Sequence, residues 1–134
     1  GPSHASYANY KGTSALSEPE SKALANLANS TNWTMTISYH SMGNLVYWDF
    51  AGNKVAEQSK ELAELVTGIS GYRTNRSSGK GGFKDYVQIK DSPIPSLTIE
   101  VGSVACPMPA SEFGNVWNSN QSILAALAAY AADH

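Results

Sequence analysis

The 134-residue chain carries 9 Lys and Arg against 11 Asp and Glu, a formal charge of −2, with 15% charged and 42% hydrophobic residues. That length and apolar share are enough for one core, so a single domain over residues 1–134 is expected. The near-balanced charge provides no field of the kind that gathers a protein onto nucleic acid or an anionic membrane, which leaves a small molecule or a peptide as the partner class. No apolar run approaches the roughly 20 residues that cross a bilayer, and the opening "GPSHASYANYKG" lacks the charged and apolar regions of a secretory signal. The single cysteine, Cys106, excludes an intrachain disulfide and a thiolate zinc cluster. Of the three histidines, His4, His40 and His134, only His40 falls inside a structured pattern.

After a loop rich in Ser, Gly and Tyr, "ALSEPESKALANLANS" predicts a helix. Ser17 is its expected N-cap, Glu20 the capping-box partner and Pro19 a first-turn residue, with a narrow apolar stripe of Ala23, Leu24 and Leu27. In "WTMTISYH" the residues Trp33, Met35, Ile37 and Tyr39 alternate with Thr34, Thr36, Ser38 and His40. This period of two predicts a strand whose more polar face ends on His40. A turn at Met42 and Gly43 leads to a second short strand, "NLVYW". Asn53 then caps an amphipathic helix whose apolar face carries Val55, Leu62, Leu65, Val66 and Ile69.

The stretch "GYRTNRSSGKGGFKDY" holds Arg73, Arg76, Lys80 and Lys84 among glycines with no apolar period, and reads as a long, mobile surface loop of solvated charges. "IPSLTIEVG" predicts a strand with Thr98 and Glu100 on one face and Leu97, Ile99 and Val101 on the other. The tail has a capped turn at Ser111 and an alanine-rich helix from Ser122 onward. Strands separated by helices predict an α/β fold, a parallel or mixed sheet with covering helices.

In such sheets ligands collect at the carboxyl ends of the strands, where His40 and Glu100 both fall by this reading. An imidazole and a carboxylate across a crevice are what metal-assisted hydrolysis uses, as ligand and as base; each could equally be a hydrogen-bonded boundary residue. "SSGKGGFK" does not meet the spacing of a phosphate-binding loop. Cys106 has no assignable base and reads as a packed or inert thiol.

Taken in order, "YKGTSALSEPES", "ISYHSMGNLVYWDF", "GGFKDY", "SLTIEVG", "CPMP" and "EFGNVWNSN" resemble the C-terminal half of an M14-type zinc carboxypeptidase, especially bacterial members that act on cell-wall or gamma-glutamyl peptides. The resemblance implies a truncated zinc-carboxypeptidase-like fold. It makes His40 a zinc ligand and Glu100 the general base that activates water and returns the proton to the leaving amine. It places Lys84 at the base of the pocket for the substrate's terminal side chain, where a cation would favour an acidic group, and Tyr72 nearest to the family's mobile tyrosine; Tyr86 reads as a packing residue. A peptide or peptidoglycan stem peptide, and a secreted or cell-envelope setting in a bacterium, are further implications.

The family's H-x-x-E motif and its Asn-Arg carboxylate clamp do not occur in this sequence. The chain therefore reads as half of such a site, inactive alone, with zinc weakly held or absent. Exposed sheet edges would then favour self-association, with His4 or His134 of a neighbouring chain completing the metal shell. The alternative is a non-catalytic peptide-binding or scaffold fragment that self-associates.

Overall fold

The computed structural model describes residues 12–77 and 81–134. The chain divides into two compact units, Gly1–Asn32 and Trp33–His134. His4 and Lys80 lie outside the described residues.

In the first unit, helix α1 spans Pro19–Asn29. Its N-cap is Glu18, not Ser17, and no side chain caps it. Ser17 is occupied otherwise: its Oγ accepts the Thr13 N–H at 3.1 Å and donates to Glu18 Oε1 at 3.2 Å. The buried positions are Ala25 and Ala28, one turn apart, while Leu24 and Leu27 of the expected stripe are exposed. Small residues thus occupy the inward face.

The second unit holds a four-stranded mixed sheet in the order β1-β4-β2-β3. Strand β1 is Thr36–His40, β2 Leu45–Tyr47, β3 Arg73–Asn75 and β4 Ser96–Glu100. Strands β1 and β4 are parallel, β2 is antiparallel to β4 and parallel to β3. Helix α2, Ala56–Ser70, crosses from β2 to β3, and helix α3, Phe83–Ile89, leads from β3 toward β4. A 3-10 turn at Ala110–Glu112 and helices α4, Phe113–Asn120, and α5, Ile123–Asp133, complete the unit. The expected α/β class and mixed sheet with helices are present. No helix of the described residues is long and apolar enough to cross a membrane.

The alternation in β4 works as its sequence dictates. Leu97, Ile99 and Val101 join Val46 of β2 and pack on Leu62, Ala63 and Val66 of α2 and Ile123 and Leu127 of α5. Asn53 does not cap α2 directly; the N-cap is Val55, whose N–H donates to Asn53 Oδ1 at 2.9 Å, so Asn53 shapes the turn just before the helix. Gly71, with φ of 73°, closes α2 in the left-handed region.

Two parts of the sequence reading are corrected. The basic, glycine-rich stretch is not one surface loop: Arg73–Asn75 pairs with β2, and Phe83–Ile89 is a helix that buries Lys84 and Asp85. A short strand on a sheet edge and a one-sided helix of seven residues leave no long apolar period to read. The "EFGNVWNSN" segment contains the whole of α4, with Phe113 and Trp117 exposed and stacked at 6.1 Å, and the turn at Ser111 carries no side-chain cap.

Candidate functional site

The register of the parallel pair β1 and β4 sets Thr36 beside Ser96, Ser38 beside Thr98 and His40 beside Glu100. Registered partners share a sheet face, so the polar half of each alternation falls on the side opposite the core. Thr36 Oγ1 and Ser96 Oγ meet at 2.7 Å at the start of this polar stripe, and the ladder continues past its end where the Val101 N–H donates to His40 O at 2.8 Å. The sheet thereby holds the His40 and Glu100 backbones side by side at the carboxyl ends of two strands.

After His40 the chain must leave the sheet sharply. Gly43 has φ of 156° and donates its N–H to Gly102 O at 2.8 Å; a Cβ there would come within 2.9 Å of Leu45 Cδ2. Gly102, at φ of 81°, follows β4, and a Cβ would meet Met108 Sδ at 2.5 Å. Two glycines therefore let the chains after His40 and after Glu100 pass close together.

A cavity of about 120 Å³ opens on this polar face, lined by Ser38, His40, Tyr47, Thr98 and Glu100 from the sheet and by Gly81 to Asp85 at the start of α3. His40 is exposed and Glu100 half-buried, so both are within reach of water. The structure thus brings together three of the residues singled out from sequence, His40, Glu100 and Lys84. The fourth, Tyr72, lines a separate depression with Asn44, Glu112 and Val116, and its hydroxyl accepts a hydrogen bond from Asn120 Nδ2 at 2.9 Å.

Lys84 is held tightly inside the protein. Its Nζ donates to Asp49 O at 2.8 Å, to Asp85 Oδ1, and at 3.5 Å to Gln88 Oε1, and it lies 5.8 Å from the centre of the Phe50 ring. Gln88 passes the network inward, its Nε2 donating to Trp48 O at 2.9 Å, Ser96 O at 3.0 Å and Ser59 Oγ at 3.2 Å. Asp49 carries a second branch, accepting from Asn53 Nδ2 at 3.0 Å and from Arg76 Nε and Nη2 at 3.0 and 2.5 Å. Burial acts to raise the Asp49 pKa, but the hydrogen bonds from Arg76, Asn53 and the Phe50 backbone outweigh it and hold the carboxyl below its ordinary value. Arg76 also lies over Trp48, 5.3 Å from the ring centre. Asp49, Asp85, Gln88, Ser59 and Ser96 were not singled out from sequence. Asp85 and Gln88 sit one and four residues from Lys84. The contacts that bury the group, Lys84 to Asp49 O and Gln88 to Trp48 O and Ser59 Oγ, join segments 29 to 40 residues apart, beyond any local spacing.

Cys106 is exposed rather than packed, with its Sγ 3.5 Å from Ser41 Oγ. His134 stacks on Tyr130 at 3.9 Å between ring centres.

The family model described as zinc carboxypeptidase, of the M14 peptidases, matches residues 2–122. The chain belongs to that family. It is 33% identical over 118 residues to gamma-D-glutamyl-L-diamino acid endopeptidase 1 of Lysinibacillus sphaericus, covering 87% of this chain and 29% of that protein. It is 30% identical over 127 residues to the uncharacterized protein YqgT of Bacillus subtilis strain 168, covering 92% of this chain and 33% of that protein. The chain thus spans about a third of the length of these curated relatives.

A peptidase zinc site takes three protein ligands and keeps one position open. Among the described residues no group of three His, Cys, Asp or Glu side chains could hold a metal ion. His40 is one imidazole of the right type, and Glu100 stands next to it. These residues fit part of a zinc peptidase site and do not complete a metal shell.

Proposed function

We propose that this chain supplies one side of the catalytic site of a peptide-bond hydrolase, with Glu100 as the general base and His40 as a metal ligand. The observation that supports this most is the in-register pairing of His40 with Glu100 at the carboxyl ends of adjacent parallel strands, both lining one cavity. The family's zinc, when held by His40 together with further ligands, would serve as a Lewis acid. Glu100 takes one proton from the water whose oxygen attacks the scissile carbonyl carbon. It returns that proton to the amide nitrogen as the carbon–nitrogen bond breaks, and the second proton of the water passes from the new carboxyl group to the amine, leaving a carboxylate and an ammonium. A rigid strand end suits this role, because the carboxylate must sit in hydrogen-bond reach of a water without reorganising. The name of the Lysinibacillus relative points to a gamma-D-glutamyl-L-diamino acid linkage as the substrate class, as in stem peptides of a bacterial cell wall.

A second reading, a peptide-binding or scaffold fragment without a working metal, draws on the absence of a three-ligand group among the described residues. It carries with it association through sheet edges, β1 and β3 each having one strand neighbour among the described residues. Zinc content and hydrolysis of a gamma-D-glutamyl-L-diamino acid peptide, measured on the full-length protein that carries this sequence, separate the two. The peptidase reading expects stoichiometric zinc that falls in His40→Ala, and Glu100→Gln slower by roughly 10²- to 10⁴-fold with an unchanged melting temperature. Protein without zinc and without turnover, or unaltered turnover in Glu100→Gln, overturns it.

A further inference from the structure

The depression that Tyr72 lines encloses about 340 Å³ and shares no lining residue with the cavity beside His40 and Glu100. Its one charged lining residue is Glu112, only 7% exposed. Glu112 stands at the N-cap of α4, yet its side chain caps none of the helix N–H groups. Among the described residues it makes no ion pair and no side-chain hydrogen bond. The single fully enclosed side-chain nitrogen or oxygen without a partner among those residues is Asn120 Oδ1, so the Glu112 carboxylate is not sealed in and opens onto the depression.

A carboxylate this enclosed has given up much of its hydration with no protein group in exchange, which costs the folded state stability. Such a group points to a partner that arrives from outside the fold. The rest of the wall says which partner. The amides of Asn44, Asn115 and Asn118 and the hydroxyls of Ser103 and Ser119 make no side-chain hydrogen bond among the described residues, and each offers an oxygen that can accept one. An anion would face Glu112, and an apolar group would leave it unpaired. A calcium-like ion takes about six to eight oxygens, and a single carboxylate would leave half its charge uncancelled. One positive charge carrying several N–H donors meets the wall in full: it cancels Glu112 and gives its remaining protons to amide and hydroxyl oxygens.

We infer that this depression is a second binding site, for an organic monocation, a primary ammonium or guanidinium at the end of a peptide side chain, with Glu112 as its countercharge. Asn44 and Ser103 reach it from the two chain segments that the Gly43 N–H to Gly102 O bond holds together, so part of its wall is fixed by the backbone that leaves β1 and β4. The site stands whether or not the peptidase reading does.

The test titrates Nα-acetyl-lysine amide and Nα-acetyl-arginine amide into the full-length protein that carries this sequence, with binding read from chemical shifts. Nα-acetyl-norleucine amide, which lacks the cation, and calcium chloride are the comparison arms. A cationic amide should bind roughly tenfold or more tighter than the norleucine amide. Glu112→Gln should erase that advantage. Glu100→Gln should keep it, which separates this site from the cavity beside His40. Asn44→Gly removes one amide while glycine still suits the left-handed φ of 48° at that position, and it should weaken the cationic amide severalfold. If Glu112→Gln does not fold, Asn44→Gly carries the test. Equal binding of the cationic and norleucine amides, calcium bound more tightly than either cationic amide, unaltered binding in Asn44→Gly, or an advantage lost in Glu100→Gln and kept in Glu112→Gln overturns the inference.

Discussion

On one face of the sheet Val46, Leu97 and Ile99 are sealed against Leu62, Val66 and Ile123, all fully buried. On the other, Ser38, His40, Thr98 and Glu100 look onto a cavity bounded by the start of α3. The first face is held by area removed from water, which is non-directional and tolerates exchange of one hydrocarbon for another of similar volume. The second is held by directional contacts, Lys84 to Asp49 and Asp85, Gln88 to Trp48 and Ser96, which fix α3 against the strands and tolerate little. The lesson is that one alternating strand can serve both purposes. β4 gives Leu97 and Ile99 to stability and Thr98 and Glu100 to the cavity, with no residue asked to do both.

The comparison breaks most visibly if its apolar half is hollowed. Leu62→Ala should cost about 2–5 kcal/mol in chemical denaturation, because the leucine is fully buried in the centre of the cluster. His40 and Glu100 should keep their relative placement in whatever fraction remains folded, as read by their amide chemical shifts. A smaller loss on the polar side sharpens it. Gln88→Leu should cost about 1–3 kcal/mol by stranding Trp48 O and Ser96 O without a donor, a loss that replacement by another apolar residue does not recover.

Arg76→Met probes the outer branch of the same network. The folded-state pKa of Asp49 is depressed, so the folded protein binds fewer protons than the unfolded chain in the acid range. The stability this contributes is present above the ordinary carboxylate range and is lost as pH falls through the depressed value. Denaturation of wild type and Arg76→Met should therefore differ most near neutral pH and converge in strong acid; a gap that widens on acidification would contradict the assignment. The smallest effect lies at the rim of the apolar cluster, against which Tyr130 packs. Tyr130 donates to Glu61 Oε2 at 2.6 Å, and this bond, helped by burial and by the Glu61 charge, pushes its pKa up to about 12. Ultraviolet titration should show a late tyrosine that returns toward its ordinary value in Glu61→Gln, while Tyr39, raised by burial and by Tyr72, does not respond to that change; the stability associated with Tyr130 is lost as pH rises through its shifted pKa.

The carboxyl-end position of His40 and Glu100 was legible because strand periodicity is local: one neighbour up, one down. So were the core faces of β4 and of α2, where Val55, Leu62 and Val66 are buried as their spacing predicts. The start of α1 was misread because Ser17 bonds Thr13 and Glu18 instead of the helix, a choice between competing local partners. The burial of Lys84 was hidden for a different reason. Its acceptor Asp49 O lies 35 residues away, and a lysine among glycines looks solvated until the fold supplies that carbonyl.

Sequence alone therefore determined which residues alternate, which strand ends carry an imidazole and a carboxylate, and the family to which their order points. Tertiary structure decided that those two ends are neighbours in register, that Tyr72 belongs to a different depression, and that the cavity's cation is cancelled by Asp85. The division has one physical cause. Periodicity and propensity act over a few residues along the chain, whereas compensation of a buried charge depends on groups that only the folded backbone brings within a few ångströms.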